Sequence, residues 1–215
     1  MLSESLLRAM MPRAGKRLDP HLPYIAPAME AGGITTRRRI AAFLAQLAHE
    51  SCEFQYMEEI ADGRAYEWRN DLGNVQPGDG PRFKGHGPIQ ITGRKNHRRC
   101  GEALGLDLLA DPTLICLPEH GTRAAVWFWN EEGLSLLADV DWFVTITRRI
   151  NGGTNGLEDR LAYWRRNREL LELPPVDVAR EREAIKAFQA AHGLLADGVV
   201  GPLTIGVLAQ VAVPS

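Results

Sequence analysis

The stretch TRRRIAAFLAQLAHESCEFQYMEE, residues 36–59, decides how this chain is read. Its first part is a buried helix. Thr35 or Thr36 offers a side-chain oxygen for the N-cap. Ile40, Phe43, Leu44 and Leu47 then fall at i, i+3, i+4 and i+7, a stripe for the core. Ala41, Ala42, Ala45 and Ala48 keep the helix narrow enough for close packing. It ends in His49-Glu50-Ser51, and a second carboxylate, Glu59, follows nine positions after Glu50.

A His-Glu at the end of a buried helix has three readings. A zinc peptidase needs H-E-x-x-H on one helix face, and position 53 is Glu, so that reading fails. A structural pair would set His49 in a core hydrogen bond and Glu50 against an arginine. The third reading is general acid–base work. A carboxylate at a helix C-terminus meets the negative end of the dipole, and partial burial strips water from it. Both favour the protonated form that an acid needs. Glu59, beyond the helix in a polar loop, is expected to keep its charge. Two carboxylates in contrasting surroundings are the pattern of glycoside hydrolysis.

The bulk numbers leave room for this. With 215 residues, 45% apolar and 24% charged, the chain suits one good core plus a small appendage. A net charge of −2 provides no global field toward nucleic acid or membrane. Local basic runs, RKNHRR at 94–99 and RRNR at 165–168, are solvated helix faces or a weak attraction to an anionic polymer. Three widely spaced cysteines, Cys52, Cys100 and Cys116, argue against a disulfide framework and for synthesis in a reducing compartment. No C-x-x-C suggests zinc, so neither metal nor cofactor is expected. The N-terminus lacks a signal-peptide pattern and no apolar run is long enough to span a membrane. The expectation is a protein made in the cytoplasm, without stable membrane insertion, that reaches any outside substrate by release or injection.

Around the opening stretch the pattern is mostly helical. Helices are expected at about 2–11, 20–31, 94–104, 118–131, 139–150 and 157–171. Residues 60–88, rich in glycine and proline, form a long loop with aromatics Tyr66, Trp68 and Phe83 as an ordered wall. Residues 89–92, IQIT, are expected to be extended, which would put Gln90 and Thr92 on one face. Asn151-Gly152-Gly153 is a turn signal. LELPPVD at 171–177 is a linker. Beyond it a helix, a Gly/Asp loop and a helix begun at Pro202 are too small to stand alone, so they dock or pair. Phe188, Leu194, Val199, Val200 and Leu203 are its expected core.

Four blocks in order then carry a resemblance: AQLAHES (45–51) with the Glu at +9, FKGHGPIQITGRKN (83–96), AAVWFW (124–129) and INGGTNGLEDR (150–160). Together they resemble glycoside hydrolase family 19, the chitinase-like family that includes many phage endolysins. The resemblance runs from about residue 36 to 170. It implies a mainly α, lysozyme-like domain of two lobes around a central cleft, and hydrolysis of β-1,4 bonds between N-acetylated sugars with inversion. It makes Glu50 the general acid and Glu59 the base that activates water, their carboxyls about 6.5–9.5 Å apart. Thr92 matches the residue that helps position the water. Gln90 and Asn96 match contacts to N-acetyl and hydroxyl groups, and Asn151 matches a cleft asparagine. Arg123 and Arg160 match basic positions that bind sugar or tune the carboxylates, and His49 is placed with the substrate-binding residues. Glu67 is the rival base and Glu58 a weaker one.

Three positions depart from the family pattern. His86 stands where arginine is usual, which loses a fixed charge and a donor fork. Cys52-Glu53 replaces a glycine pair. His97 replaces an aromatic after Asn96, weakening sugar stacking.

The C-terminal stretch IKAFQAAHGLLADGVVGPLTIGVLAQ (185–210) resembles part of the common peptidoglycan-binding repeat. The expected organisation is therefore a catalytic domain at 1–171, a linker at 172–178 and a partial wall-binding helical hairpin at 179–215. That tail moves the substrate from chitin toward peptidoglycan glycan strands, cut by an endolysin acting as a monomer. Chitin is the alternative substrate. A non-catalytic wall-binding protein is the alternative of another class, and it predicts loss of the carboxylate pair, which is present.

Overall fold

The helix read from residues 36–50 runs from Arg37 to Glu50 in the computed structural model, which describes residues 2–211. It is α3 of eleven α-helices among the described residues. Before it come α1 (Glu4–Met10) and α2 (Leu22–Ala31); after it come α4 (Asp79–Arg82), α5 (Arg94–Leu104) and α6 (Pro118–Glu131). Then follow α7 (Leu134–Asp139), α8 (Phe143–Asn151) and α9 (Leu157–Leu170), and last α10 (Glu181–Ala191) and α11 (Pro202–Val211). The domain is mainly α, as expected, and no named strand occurs among the described residues.

Thr36 caps α3 by accepting from the Arg39 amide at 3.2 Å. Arg39 in turn pairs with Asp139 at 2.5 Å. Burial goes beyond the expected stripe. Every residue from Ala41 to Ala48 is buried, polar Gln46 included, while Ile40 is only partly buried. The alanines allow this, because small side chains let other helices close in from several sides. The most extensive of these pairings is α3 with α9. Aromatics fill the wider gaps: Phe43 meets Trp129 of α6 edge-on at 5.4 Å, and Phe143 of α8 stacks on Trp164 of α9 at 4.5 Å.

Two expected elements are different. Residues 89–92 are not extended: Gln90 has φ +53°, and the chain between His86 and Ile91 closes on itself through an isolated bridge. With Gln90 in the left-handed region, the period-two argument for Gln90 and Thr92 fails. The helix expected at 139–150 is interrupted at residues 140–142, where Asp141 has φ +60°. Its carboxylate there takes ion pairs from Arg168 at 2.5 Å and Arg38 at 3.2 Å. These hold a conformation that aspartate tolerates better than most residues.

The long loop contains short 3-10 turns and α4. Asp79, 1% exposed, ties it to α5 through Arg94 at 2.6 Å. Of its aromatics, Phe83 is fully buried, Tyr66 is half-buried and Trp68 is exposed.

The linker is pinned as well: Arg168 donates to the Pro174 carbonyl at 3.1 and 2.6 Å. The tail docks on the rest, with Ile185 and Leu208 buried in the common core. Three of its expected core residues are not core, Leu194 being only partly buried and outside the common core. Val199 and Leu203 are 63% and 75% exposed, because the outer side of the α10–α11 hairpin is left uncovered among the described residues. Polar groups fill the hairpin's centre instead. The Gln189 amide bonds Asp197 at 3.0 Å, Val199 at 2.9 Å and the Gly198 amide at 2.9 Å. Residues 212–215 of the expected tail span lie outside the described residues.

Candidate active site

Glu50 is the last residue of α3, and its side chain is 17% exposed. One oxygen lies 2.5 Å from a guanidinium nitrogen of Arg160, itself 3% exposed. The contact is not aligned as a hydrogen bond, so the pair is held by charge. It places a positive charge against the carboxylate, opposite in sign to the field of the helix end. The second terminal guanidinium nitrogen donates to Gln46 Oε1 at 2.5 Å. Gln46 Nε2 donates to Thr147 Oγ1 of α8 at 2.9 Å. Glu50 is thus the end of a buried chain through Arg160, Gln46 and Thr147. His49 turns away to Asp159, 2.7 Å from its Nδ1.

After Glu50 the backbone does something only glycine does freely. Cys52, Glu53 and Phe54 have φ of +46°, +54° and +63°. Each such residue costs on the order of 1 kcal/mol. Glu53 explains how the turn holds. Its carboxylate is fully buried and accepts from Tyr163 at 2.5 Å and from Arg13 at 3.1 Å. Ser51 assists by accepting from the Phe54 amide at 2.9 Å. The glycine pair of the family pattern is replaced here by a residue that anchors its own strained backbone.

Glu59 is held by loop groups. Its Oε1 accepts from the Tyr66 hydroxyl at 2.9 Å, and its Oε2 from the Gly85 amide at 2.8 Å. Its own amide donates to the Gly85 carbonyl at 2.8 Å. Burial, with the bond to Glu59, raises the Tyr66 phenol above its ordinary value. At Gly85 an added Cβ would sit 2.6 Å from Gln90 Oε1 and 3.2 Å from Glu59 Oε2, so the missing side chain leaves both of these groups their room. Glu59 and Gln90 therefore approach each other over bare backbone.

The remaining candidates form a short relay behind Gln90. Gln90 Nε2 donates to the Gly87 carbonyl, Thr92 Oγ1 to the Gln90 carbonyl and Asn96 Nδ2 to the Thr92 carbonyl, each at 2.9 Å. Asn151 closes the turn after α8 by donating to Asn155 at 2.8 Å. Arg123 joins neither carboxylate. It donates to the Leu104 carbonyl at 3.0 Å and lies 4.0 Å from Glu119. Glu67 accepts from the Gly78 and Gly80 amides at 2.7 and 2.8 Å, stapling the loop at α4. Glu58 pairs with Lys84 at 2.9 Å, which lowers its pKa.

His86 and His97 are buried together, His86 Nδ1 3.1 Å from His97 Nε2. His97 therefore does not face sugar, and its effect on stacking is not the one expected. Its Nδ1 bonds the Gly93 carbonyl at 2.9 Å, so Nδ1 carries the proton and Nε2 accepts from His86. Burial lowers both, His97 to about 4. The backbone of His86 exchanges two hydrogen bonds with Ile91, at 3.0 and 2.9 Å, closing the turn that carries Gln90.

Sequence reasoning missed Gln46 and Thr147, and it read Tyr66 only as part of the loop wall and Glu53 only as a departure from the glycine pair. Gln46 had a signal: it is the one polar residue inside 40–48 and lies four positions before Glu50, on the same helix face. Thr147 had none, since only folding brings it near. Among the described residues no three His, Cys, Asp or Glu side chains gather as a metal site requires. A cavity of about 620 Å³, lined by Leu6, Met29, Ile34, Ile40 and Leu170, contains none of the candidate residues.

A carboxylate closing a buried helix, and a second one held in a glycine-rich loop, are of the kind that two-carboxylate glycosidases use. Residues 24–135 match the family model described as chitinase class I, and the chain belongs to that family, glycoside hydrolase family 19. Residues 180–208 match a putative peptidoglycan binding domain. A glycosyl hydrolase family 19 domain-containing protein of Haemophilus influenzae is 30% identical over 196 residues, 77% of this chain and 94% of that protein. An endochitinase of Arabidopsis thaliana is 44% identical over 122 residues, covering 56% of this chain and 42% of the relative. The chain spans under half the length of the first two Arabidopsis relatives it matches. Among solved structures, chitinase C from Streptomyces griseus HUT6037 shares the fold at a TM-score of 0.65 and 23% identity, over 82% of this chain and 79% of that one. A bacterial family 19 chitinase aligns at a TM-score of 0.67 and 23% identity, over 81% and 97% of the two chains.

Proposed function

We propose that this protein is an endolysin that hydrolyses β-1,4 glycosidic bonds of bacterial peptidoglycan by inverting acid–base catalysis. Glu50 gives its proton to the leaving glycosidic oxygen as the bond from C1 breaks. Glu59 takes a proton from a water that attacks C1 on the opposite ring face, leaving one hydroxyl on each fragment. Thr92 and the Gln90 amide help to place water and the N-acetyl group. The observation that carries the reading is the contrast between the carboxylates. Glu50 closes a rigid buried helix, and Glu59 is held by Tyr66 and Gly85 in a polar loop. The wall polymer is preferred because a peptidoglycan-binding match follows the family 19 match in the same chain.

Chitin is a second reading, favoured by relatives that are named endochitinases. Digestion of purified peptidoglycan and of chitin, with mass analysis of the new reducing ends, separates the two. Release of muropeptides ending in N-acetylmuramic acid supports the wall-cutting reading. Release of N-acetylglucosamine oligomers from chitin alone overturns it.

A further inference from the structure

α8 begins without a cap of its own: Trp142, at its N-cap, contributes no side-chain hydrogen bond. The amides of its first turn still need acceptors. They find one from a distant part of the chain. Glu181, the first residue of α10, is 7% exposed and points its carboxylate at that end. Oε2 accepts from the Val144 amide, and Oε1 from the Thr145 amide and the Thr145 hydroxyl, each at 2.7 Å. A negative charge with both oxygens bonded at a helix N-terminus is well placed electrostatically. Burial nevertheless raises the Glu181 pKa, so the group sits there at a cost in solvation.

The tail holds α8 at further points. Trp142 meets Phe188 edge-on at 5.6 Å. Arg149, on the same helix, donates to the Val200 carbonyl at 3.3 Å and to the Glu132 carbonyl at 2.8 Å. Arg148 is the charged group that faces Glu181 from α8. Between the clamped end and Asn151 lies Thr147, which holds Gln46, which holds Arg160, which faces Glu50.

We propose that Glu181 is a positioning residue for the proposed hydrolysis. By capping α8 from the C-terminal segment, it sets Thr147 and through Gln46 and Arg160 the place of the Glu50 carboxylate. The tail is then part of the catalytic frame, whatever else it binds. The inference rests on the assignment of Glu50 as acid.

The test uses the full chain and compares Glu181→Gln, Glu181→Asp and Thr147→Val with the parent, well below the unfolding temperature. The glutamine keeps the size but turns one acceptor into a donor that faces an amide. Turnover of a soluble glycan fragment, amide exchange at Val144 and Thr145, and the Gln46 side-chain NMR signal are read together. The expected result for Glu181→Gln is faster exchange, a moved Gln46 signal, and kcat down about tenfold with KM nearly unchanged, since small misplacements are costly in rate. Glu181→Asp recovers part of the rate. Faster exchange with kcat intact means the cap is structural alone and overturns the proposal. Should Glu181→Gln not fold, Thr147→Val cuts the relay away from the tail, and an unchanged kcat in it overturns the proposal equally. If the parent cleaves neither glycan, the assignment of Glu50 has failed separately. The Gln46 signal then decides alone whether the relay reaches the Glu50 helix, and an unmoved signal in Glu181→Gln sinks it.

Discussion

The two candidate carboxylates sit in regions built on different principles. Glu50 belongs to the helical part, where α3 is packed by α9 and buried along its length. Its immediate partner is a fixed cation, Arg160, backed by buried amide and hydroxyl groups. Glu59 belongs to the loop part, where backbone amides, a phenol and two buried histidines provide the order. One region resists change because breaking it strands a buried charge. The other is assembled from single hydrogen bonds, any of which can go, and from histidines that respond to acid. The lesson is that one family pattern places two carboxylates in settings with unequal tolerance to damage.

The largest effect is expected on the chemistry itself. Glu50→Gln and Glu59→Gln should each lower turnover by about 10²–10⁴-fold, the range for a lost acid or base. Circular dichroism should show both folded. Glu67→Gln, which touches only the loop staple at Gly78 and Gly80, should retain near-normal turnover. The opposite ranking of Glu59 and Glu67 would move the base to Glu67.

Stability should separate the regions next. Arg160→Ala removes one partner of a buried pair and should cost about 3–5 kcal/mol in urea unfolding. A loss under 1 kcal/mol would mean that the helical region is not organised by that pair.

Acid should find the loop region. His97 is lowered from 6.5 to about 4, so the unfolded chain binds more protons between those values. Its contribution is whole above pH 6.5 and is lost as pH falls toward 4, about 3 kcal/mol in all. Protonation would also set an N–H against the His86 N–H that it now accepts. His21, packed on Phe54 at 4.0 Å, is lowered to about 4 as well and adds loss of the same sign. A His97→Gln variant keeps His21 and isolates the loop: its stability should fall less steeply than the parent's over that window. Parallel pH profiles would remove the histidine pair from the account.

The smallest effect is expected from Tyr66→Phe. It takes one donor from Glu59 but leaves the Gly85 amide in place. A change of about 1 kcal/mol or less in transition-state stabilisation, read from kcat/KM, fits one hydrogen bond among two.

Much of the helical region was legible in advance, because it follows from periodicity. The cap at Thr36, the apolar run of 40–48 and the position of Glu50 at the helix end are all local statements. The loop region was legible only as a loop. Its glycines mark close approaches, yet nothing local says that Gly85 brings Glu59 and Gln90 together. IQIT looked extended because three of its four residues favour strands; the hydrogen bonds of the His86–Ile91 turn overrode that preference. The interruption at Asp141 was hidden likewise, because two arginines from α3 and α9 stabilise it.

By itself, then, the sequence determined a mainly helical domain, a helix ending in a carboxylate, a second carboxylate nine residues later and a small docked tail. Those features depend on residues a few positions apart, or on blocks recognisable in order. Tertiary structure alone decided which groups face the carboxylates: Arg160, Gln46 and Thr147 for Glu50, and Tyr66 and Gly85 for Glu59. It also decided that His97 is interior and that Glu181 caps α8. These are contacts across long stretches of chain. They exist because buried charges and unpaired amides must find partners wherever packing brings them, which no local pattern encodes.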